Sequence, residues 1–384
     1  MTEKLYDYDS YLTEFDCVVM SCEKTDTGYR TLFDKTAFFP EEGGQSCDKG
    51  MVNGIEITRV EIIGDDIYHY SSKPFEVGST AYGVIDFGSR FRNMQNHTGE
   101  HIICGIAHKI HGAQNVGFHL GSDYVTMDLD KSLNRDEIDR IEYLANEAVY
   151  KNVPVTAYYP NSDELLNIDY RSKSEIEGKV RIVTVDGYDV CACCAPHVAR
   201  TGEIGVIKIL DFINYKGGVR LNILCGADAL KDYDERYKRN VKISNLLSAK
   251  QEDVCGAVQR LMEEVSSLKQ QLSEKSRIIS RMYVDAIDNT DENICIFLES
   301  IAHDEMRNIV NGAKGKTKKA AALFCGSDEA GYSYIIGSDS IDLKAAAAAF
   351  NEALNGRGGG TSQMIQGSVH SQRQVIENYI KTKM

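Results

Sequence analysis

The sequence predicts an α+β chain of several domains, and three observations carry that reading. From Leu5 to about Gly88, short runs alternate apolar and polar residues or are rich in β-branched and aromatic ones, with Gly and Asp turns between them. After that, apolar residues recur at helical spacing from Phe91 and again from Asn134, interleaved with further strand-like runs. Between Leu247 and Met282 the spacing becomes that of a heptad. At 384 residues the chain is too long for one core.

Composition narrows the function classes. The longest apolar stretches, such as Leu343 to Phe350, are too short to cross a bilayer. The polar, acidic opening Met1 to Asp9 lacks signal-peptide architecture, so a cytoplasmic location is expected. The 11 cysteines are odd in number and form no compact disulfide framework, so they read as buried thiols and candidate ligands. A net charge of −14 argues against indiscriminate nucleic-acid binding. Any nucleic acid would be held by local patches, the densest being Lys314, Lys316, Lys318 and Lys319.

In chain order, residues 1–88 read as a small barrel or sandwich, with strands at Asp16 to Cys22, Gly54 to Ile63 and Asp66 to Ser71. Its unusual segment, Asp34 to Gln45, carries Gly43-Gly44, which either permits close backbone approach or forms a simple turn. Residues 89–237 open with a helix from Phe91 to Gly112, whose apolar residues are Met94, Ile102, Ile103, Ile106, Ala107 and Ile110. A strand from Tyr124 to Leu129, a helix from Asn134 to Lys151, a strand from Val153 to Tyr159 and a short helix from Asp163 to Ile168 follow. Val180 to Val185 is a strand leading into a cysteine cluster. Ile204 to Asn214 and Gly218 to Leu224 form a hairpin turning at Lys216-Gly217.

Residues 238–285 read as a coiled-coil arm or helical hairpin, with register faults at Gln251 and Lys275. The arm is a spacer or a dimerisation element, or else a long helix packed on its own domain. Residues 286–384 run helix, strand (Ala320 to Cys325), strand (Tyr332 to Ile336), helix (Leu343 to Leu354), a glycine loop from Gly356 to Thr361, and a helix from Ser371. Gly315-Lys316-Thr317 is not a P-loop, because Val310 occupies the position that requires glycine and no strand leads into it.

The chemistry concentrates in two short motifs. His97 and His101 lie four apart on a helix, so both imidazoles share a face and can bind one metal ion. Cys193 and His197, in Cys193-Cys194-Ala195-Pro196-His197, add a second pair at ligand spacing. Four such donors fit one Zn2+, in a site that is either catalytic or structural. Cys191 and Cys194 compete with Cys193, since a loop can present any of the three thiols. Glu100 sits about 60° around the helix from His97 and is either a general base or a solvated carboxylate.

His-x-x-x-His followed by Cys-x-x-x-His-x-x-x-Thr-Gly-Glu-Ile-Gly resembles the editing domain of alanyl-tRNA synthetase. It is more similar still to the free-standing alanyl-tRNA editing proteins of the AlaX type, in their long form. Leu5 to Tyr11, the Asp34 to Gln45 segment, Phe118-His119-Leu120-Gly121 and Gly217-Gly218-Val219-Arg220 extend the likeness over the whole chain. The resemblance implies an N-terminal β-barrel, a zinc-containing editing domain, the helical arm and a C-terminal α/β DHH-associated domain. It also implies trans-editing: hydrolysis of the ester joining serine, or secondarily glycine, to tRNA(Ala). By family position His97, His101, Cys193 and His197 hold one zinc ion, and Thr36 senses the serine hydroxyl. Glu100, Thr36 and His119 are the candidate catalytic residues. Lys314, Lys316, Lys318, Lys319, Arg357, Gly358, Gly359 and Gly360 become candidate contacts to tRNA, the lysines and Arg357 otherwise forming a solvated basic face. A homodimer through the arm or last domain is expected. The competing reading is a non-catalytic tRNA-binding module around a structural zinc. The chain departs from the family where Cys-Gly-Gly-Thr-His is usual, where Glu42 replaces a glycine, and near His119, where glutamine is usual.

Overall fold

The computed structural model describes residues 1–121, 124–172 and 178–384, which divide into two compact units, Met1–Val241 and Lys242–Met384. In the first unit, six strands close into an antiparallel barrel. Their order around it is Glu14–Thr25, Gly28–Phe33, Asp66–Ser71, Ile55–Ile63, Gly50–Val52 and Thr80–Ile85. Alternation sets the wall: Phe15, Cys17 and Val19 point inward while Asp16, Val18 and Met20 face out. The barrel core gathers Tyr6, Phe33, Phe38, Phe39 and Ile67, and it also takes in Ala195, from far along the chain. Each such side chain contributes roughly 1.5–3 kcal/mol by leaving water.

The motif helix runs Phe87–His111, starting a turn earlier than the apolar spacing suggests. Asp86 caps its N-terminus by accepting from Ser89 N at 3.2 Å, and Gly112 closes it in the left-handed region at φ 63°. From Asn93 to Ala107 it is buried all round, whereas Ile110, expected on its apolar face, is 43% exposed. The helix packs against an antiparallel sheet ordered Ile207–Tyr215, Gly218–Cys225, Val125–Leu129 and Asn115–Leu120, and against the helix Arg135–Lys151. A three-stranded sheet, Val155–Tyr158, Ile182–Val185 and Asp189–Ala192, leads to the cysteine cluster. Two glycines make the close packing possible. A Cβ at Gly99 would lie 2.3 Å from the Cys225 sulfur, and one at Gly105 would lie 2.3 Å from the Tyr188 carbonyl oxygen. The hairpin turns at Lys216 and Gly217 as expected, both at positive φ, and the helix Arg135–Lys151 starts from an Asn134 capping box.

The helical stretch is two helices, Gly226–Leu247 and Val254–Asp285. The break includes the expected fault at Gln251, and the helix continues through Lys275. In the second unit, a five-stranded sheet is ordered Ile294–Leu298, Ala320–Ser327, Gly331–Ser338, Met364–Val369 and Gly356–Gly360. Helix His303–Lys314 packs its Met306, Ile309 and Val310 on Leu323 and Ile335 of one face. Leu343–Ala353 and Arg373–Lys383 pack on the other, against Phe324, Tyr334 and Ile336. Two expectations are corrected here. The glycine segment is not a loop but an edge strand, paired residue by residue with Met364–Val369, which itself escaped sequence reading. Four glycines mask strand propensity, yet a Cβ at Gly358 would fall 2.3 Å from the Gln366 carbonyl oxygen, so the pairing needs them. The strand Ile294–Leu298 precedes the first helix and was also unexpected.

Candidate metal centre

His97 and His101 project from one face of the buried helix, with ring centroids 5.5 Å apart. Cys193 and His197 arrive on the segment that leaves strand Asp189–Ala192. The almost fully buried Arg181 holds this segment by donating from Nη1 to the carbonyls of Cys193 (3.2 Å) and Ala195 (2.8 Å). The donor atoms of His97, His101, Cys193 and His197 all lie within 4.8 Å of one another. The Cys193 sulfur is 3.6 Å from His97 Nε2 and 3.4 Å from His197 Nε2.

Each of the three imidazoles is held through its other nitrogen. His97 Nδ1 is 2.9 Å from Gln45 Oε1, His101 Nδ1 is 2.9 Å from Asp189 Oδ2, and His197 Nδ1 is 3.0 Å from Thr98 Oγ1. Thr98 spends its own proton on the Met94 carbonyl at 2.7 Å, so His197 Nδ1 is the donor in that contact. A carboxylate and an amide oxygen likewise only accept, so every Nδ1 carries a proton and every Nε2 is left facing the shared point. Asp189 is in turn gripped by Arg171 through two bonds of 2.8 Å. The motif spacings carried no signal for Gln45, Thr98, Asp189 or Arg171, whose roles arise only from tertiary placement.

The charges agree with this arrangement. Burial alone would raise the Cys193 thiol, but His97, His101 and His197 hold it well below the ordinary thiol range. Burial works against a charged His101, yet Asp189 and the Cys193 sulfur keep it well above the ordinary imidazole value, which favours an Nε2 proton that a bound metal ion would displace. Burial pushes His197 down to about 3. Three nitrogens and a thiolate, preoriented and mostly buried, are a donor set that fits zinc.

The other thiols are turned to different tasks. Cys191 groups with His101 and Asp189, but that carboxylate already has a guanidinium partner, and burial raises the Cys191 thiol. Cys194 faces Gly43 and Glu42, and burial together with Cys193 pushes its thiol up.

Glu100 is only 1% exposed, so it is no solvated carboxylate. Its Oε1 accepts from Asn115 Nδ2 and from Cys104 Sγ (3.2 Å), while its Oε2 lies 3.9 Å from His101 Nε2. Thr36 is buried beside the barrel, where its hydroxyl meets His69 Nε2 at 2.9 Å and the Phe38 amide at 3.1 Å. Burial pushes His69 down to about 3, so this partner is neutral. Strand alternation puts Phe118 against His97, with ring centroids 4.8 Å apart, and turns the exposed His119 to the opposite face.

The lysine cluster is not a free basic patch. Lys314 pairs with Asp339 (2.7 Å), Lys318 with Asp291 (2.9 Å) and Lys319 with Glu292 (2.6 Å). Arg357 and Gly358 to Gly360 are exposed along the edge strand.

Residues 180–222, from the strand before Cys193 to the hairpin, match the family described as the threonyl and alanyl tRNA synthetase second additional domain. The alanyl-tRNA editing protein Aarsd1 of Danio rerio is 27% identical over 98% of this chain and 96% of its own length. Alanyl-tRNA editing protein AlaX-L of Pyrococcus horikoshii is 27% identical over 73% of this chain and 72% of its own. Alanine--tRNA ligase of Pyrococcus abyssi is 27% identical over 99% of this chain but only 43% of the ligase. The resemblance read from the motifs therefore extends along nearly the whole chain, which is similar to the alanyl-tRNA editing proteins.

Proposed function

We propose that this protein is a trans-editing hydrolase that deacylates tRNA(Ala) carrying serine first and glycine second. The observation that supports this reading most is the convergence of three oriented imidazole Nε2 atoms and the Cys193 thiolate at one buried point. His97, His101, Cys193 and His197 would hold Zn2+ there. Bound zinc supplies a Lewis acid that polarises an ester carbonyl or lowers the pKa of a water. Gln45, Asp189 and Thr98 keep the imidazoles in the metal-binding tautomer. Glu100, whose Oε2 lies 3.9 Å from His101 Nε2, is assigned to taking a proton from an attacking water. An aminoacyl ester is already activated, so orienting it against that water supplies much of the rate. Thr36, held by His69, is assigned to sensing the serine hydroxyl. In the C-terminal unit, Lys316, Arg357 and the glycine edge are assigned to tRNA, while phosphate must displace carboxylates to reach Lys314, Lys318 and Lys319.

Four protein ligands are also the pattern of a structural zinc, which supports the second reading, a tRNA-binding module without catalysis. One assay separates the two: release of amino acid from Ser-, Gly- and Ala-tRNA(Ala), with and without chelator. The hydrolase reading expects serine and glycine to be released, alanine spared, and the activity lost to chelator and restored by zinc. Salt-sensitive tRNA binding without release of any amino acid would establish the module instead.

On the helix Val254–Asp285, Val258, Leu261, Val265, Leu268, Leu272, Ile279 and Met282 are each at least 39% exposed at near-heptad spacing. We assign this seam to a second copy of the chain. Sedimentation equilibrium is expected to give twice the 42.8 kDa chain mass, and replacing Leu268 and Leu272 by glutamate is expected to return the monomer. A wild-type monomer at micromolar concentration would remove the assignment.

A further inference from the structure

With three of the four clustered lysines tied to carboxylates, the positive charge available in the C-terminal unit lies elsewhere. A cleft of about 270 Å³ opens between the helix Val254–Asp285 and the helix His303–Lys314. Arg277 and Arg281, one helical turn apart, line it together with Ser280, and Asn308 lines it from the other helix. Its floor is tight, because a Cβ at Gly312 would come within 2.6 Å of a Val284 methyl.

Two features point to a ligand. Ser280 is only 4% exposed, and its hydroxyl has no hydrogen-bond partner among the described residues. A helical serine ordinarily turns its hydroxyl to the carbonyl one turn back or to solvent. Here Ser280 lines the cleft, and its hydroxyl is enclosed there unspent. The guanidinia are also uncommitted. Arg277 has only a loose 3.8 Å pairing with Glu274, with both side chains more than half exposed, and Arg281 makes no ion pair among the described residues. Two like charges one turn apart repel each other until an anion sits between them.

We propose that this cleft seats a phosphate of an RNA backbone, with Arg277 and Arg281 as charged donors and the Ser280 hydroxyl and Asn308 amide as neutral ones. This rests on the tRNA reading given above and locates a backbone contact for it. Asp285 lines the same cleft. Its carboxylate reduces the net charge to a level that suits a singly charged phosphodiester better than a doubly charged free phosphate.

The test measures tRNA(Ala) binding by the full chain across a salt series. The double variant Arg277→Gln/Arg281→Gln is expected to bind about tenfold more weakly, with the slope of log affinity against log salt reduced by about 1–2. Ser280→Ala is expected to weaken binding a few-fold while leaving the Tm unchanged or higher, since it removes a buried hydroxyl without a partner. A purely structural serine would not separate binding from stability in that direction. Unchanged affinity and salt slope in the double variant would overturn the proposal. Inorganic phosphate is the second probe: displacement of tRNA only to the extent that its ionic strength explains supports the backbone site. Specific phosphate binding that the double variant abolishes, with tRNA affinity untouched, makes this a free-anion site and overturns it. If the wild-type chain neither binds nor hydrolyses tRNA(Ala), the functional reading fails on its own. The cleft is then judged with an unrelated structured RNA in the same salt series, where loss in the double variant supports it and no loss overturns it.

Discussion

Cys193→Ala is expected to lower bound zinc from about one ion per chain to near zero and to reduce deacylation of Ser-tRNA(Ala) by at least about 100-fold. The sulfur is the single anionic donor of the quartet, and the three imidazoles around it were arranged to meet a negative charge. Its removal leaves a neutral set with one place open to water. His97→Ala is expected to act alike. The orienting residues should cost less: Thr98→Val or Gln45→Leu is expected to weaken zinc affinity roughly 10–100-fold, because the ligand remains but loses its fixed tautomer. Metal analysis after dialysis, beside the deacylation assay, reads both effects. Full zinc content and activity in Cys193→Ala would refute the assignment. Full zinc content with lost activity would show that the thiolate acts on the reaction and not on the metal.

Arg90→Met is expected to be the most damaging single substitution for folding of the N-terminal unit, at about 3–5 kcal/mol. Arg90 and Asp48 are both wholly buried. The guanidinium meets the carboxylate through Nε (3.0 and 2.9 Å) and Nη2, and it also donates to the carbonyls of Ser10 (3.0 Å) and Ala37 (2.5 Å). Asp48 accepts the Phe39 amide at 2.6 Å as well. The pair thus ties the motif helix to the segment that carries Gln45. Removing the cation alone strands a buried carboxylate and two carbonyls, while Arg90→Met with Asp48→Leu removes both charges and is expected to recover part of the loss. Urea unfolding of the three variants measures this; equal stability of Arg90→Met and wild type would contradict it.

The legible parts of the chain are those where local pattern and tertiary role coincide. His97 with His101, and Cys193 with His197, stand at spacings fixed by backbone geometry, so they could be read before any fold was known. Lys216-Gly217 and Asn134 announce a turn and a cap through their own chemistry. Partners such as Gln45 and Asp189 could not be read, because they meet the histidines only after the barrel and the three-stranded sheet are in place. Glu100 shows the same limit: the helix wheel left a solvated carboxylate open beside a general base, and burial of every side of that helix makes it internal. The edge strand Gly356–Gly360 was hidden because glycine carries no strand signal, and the ion pairs of the lysine cluster could not be read because the partner carboxylates lie more than twenty residues away in sequence.

Ala195 lies between Cys193 and His197 and is packed in the barrel core. Loading the ion and folding the barrel are therefore linked equilibria: whatever free energy the ion gains from the ordered quartet also appears as stability of the barrel, rising with the logarithm of metal concentration above its dissociation constant. Scarcity of metal would then be felt as a softer barrel as well as a weaker site.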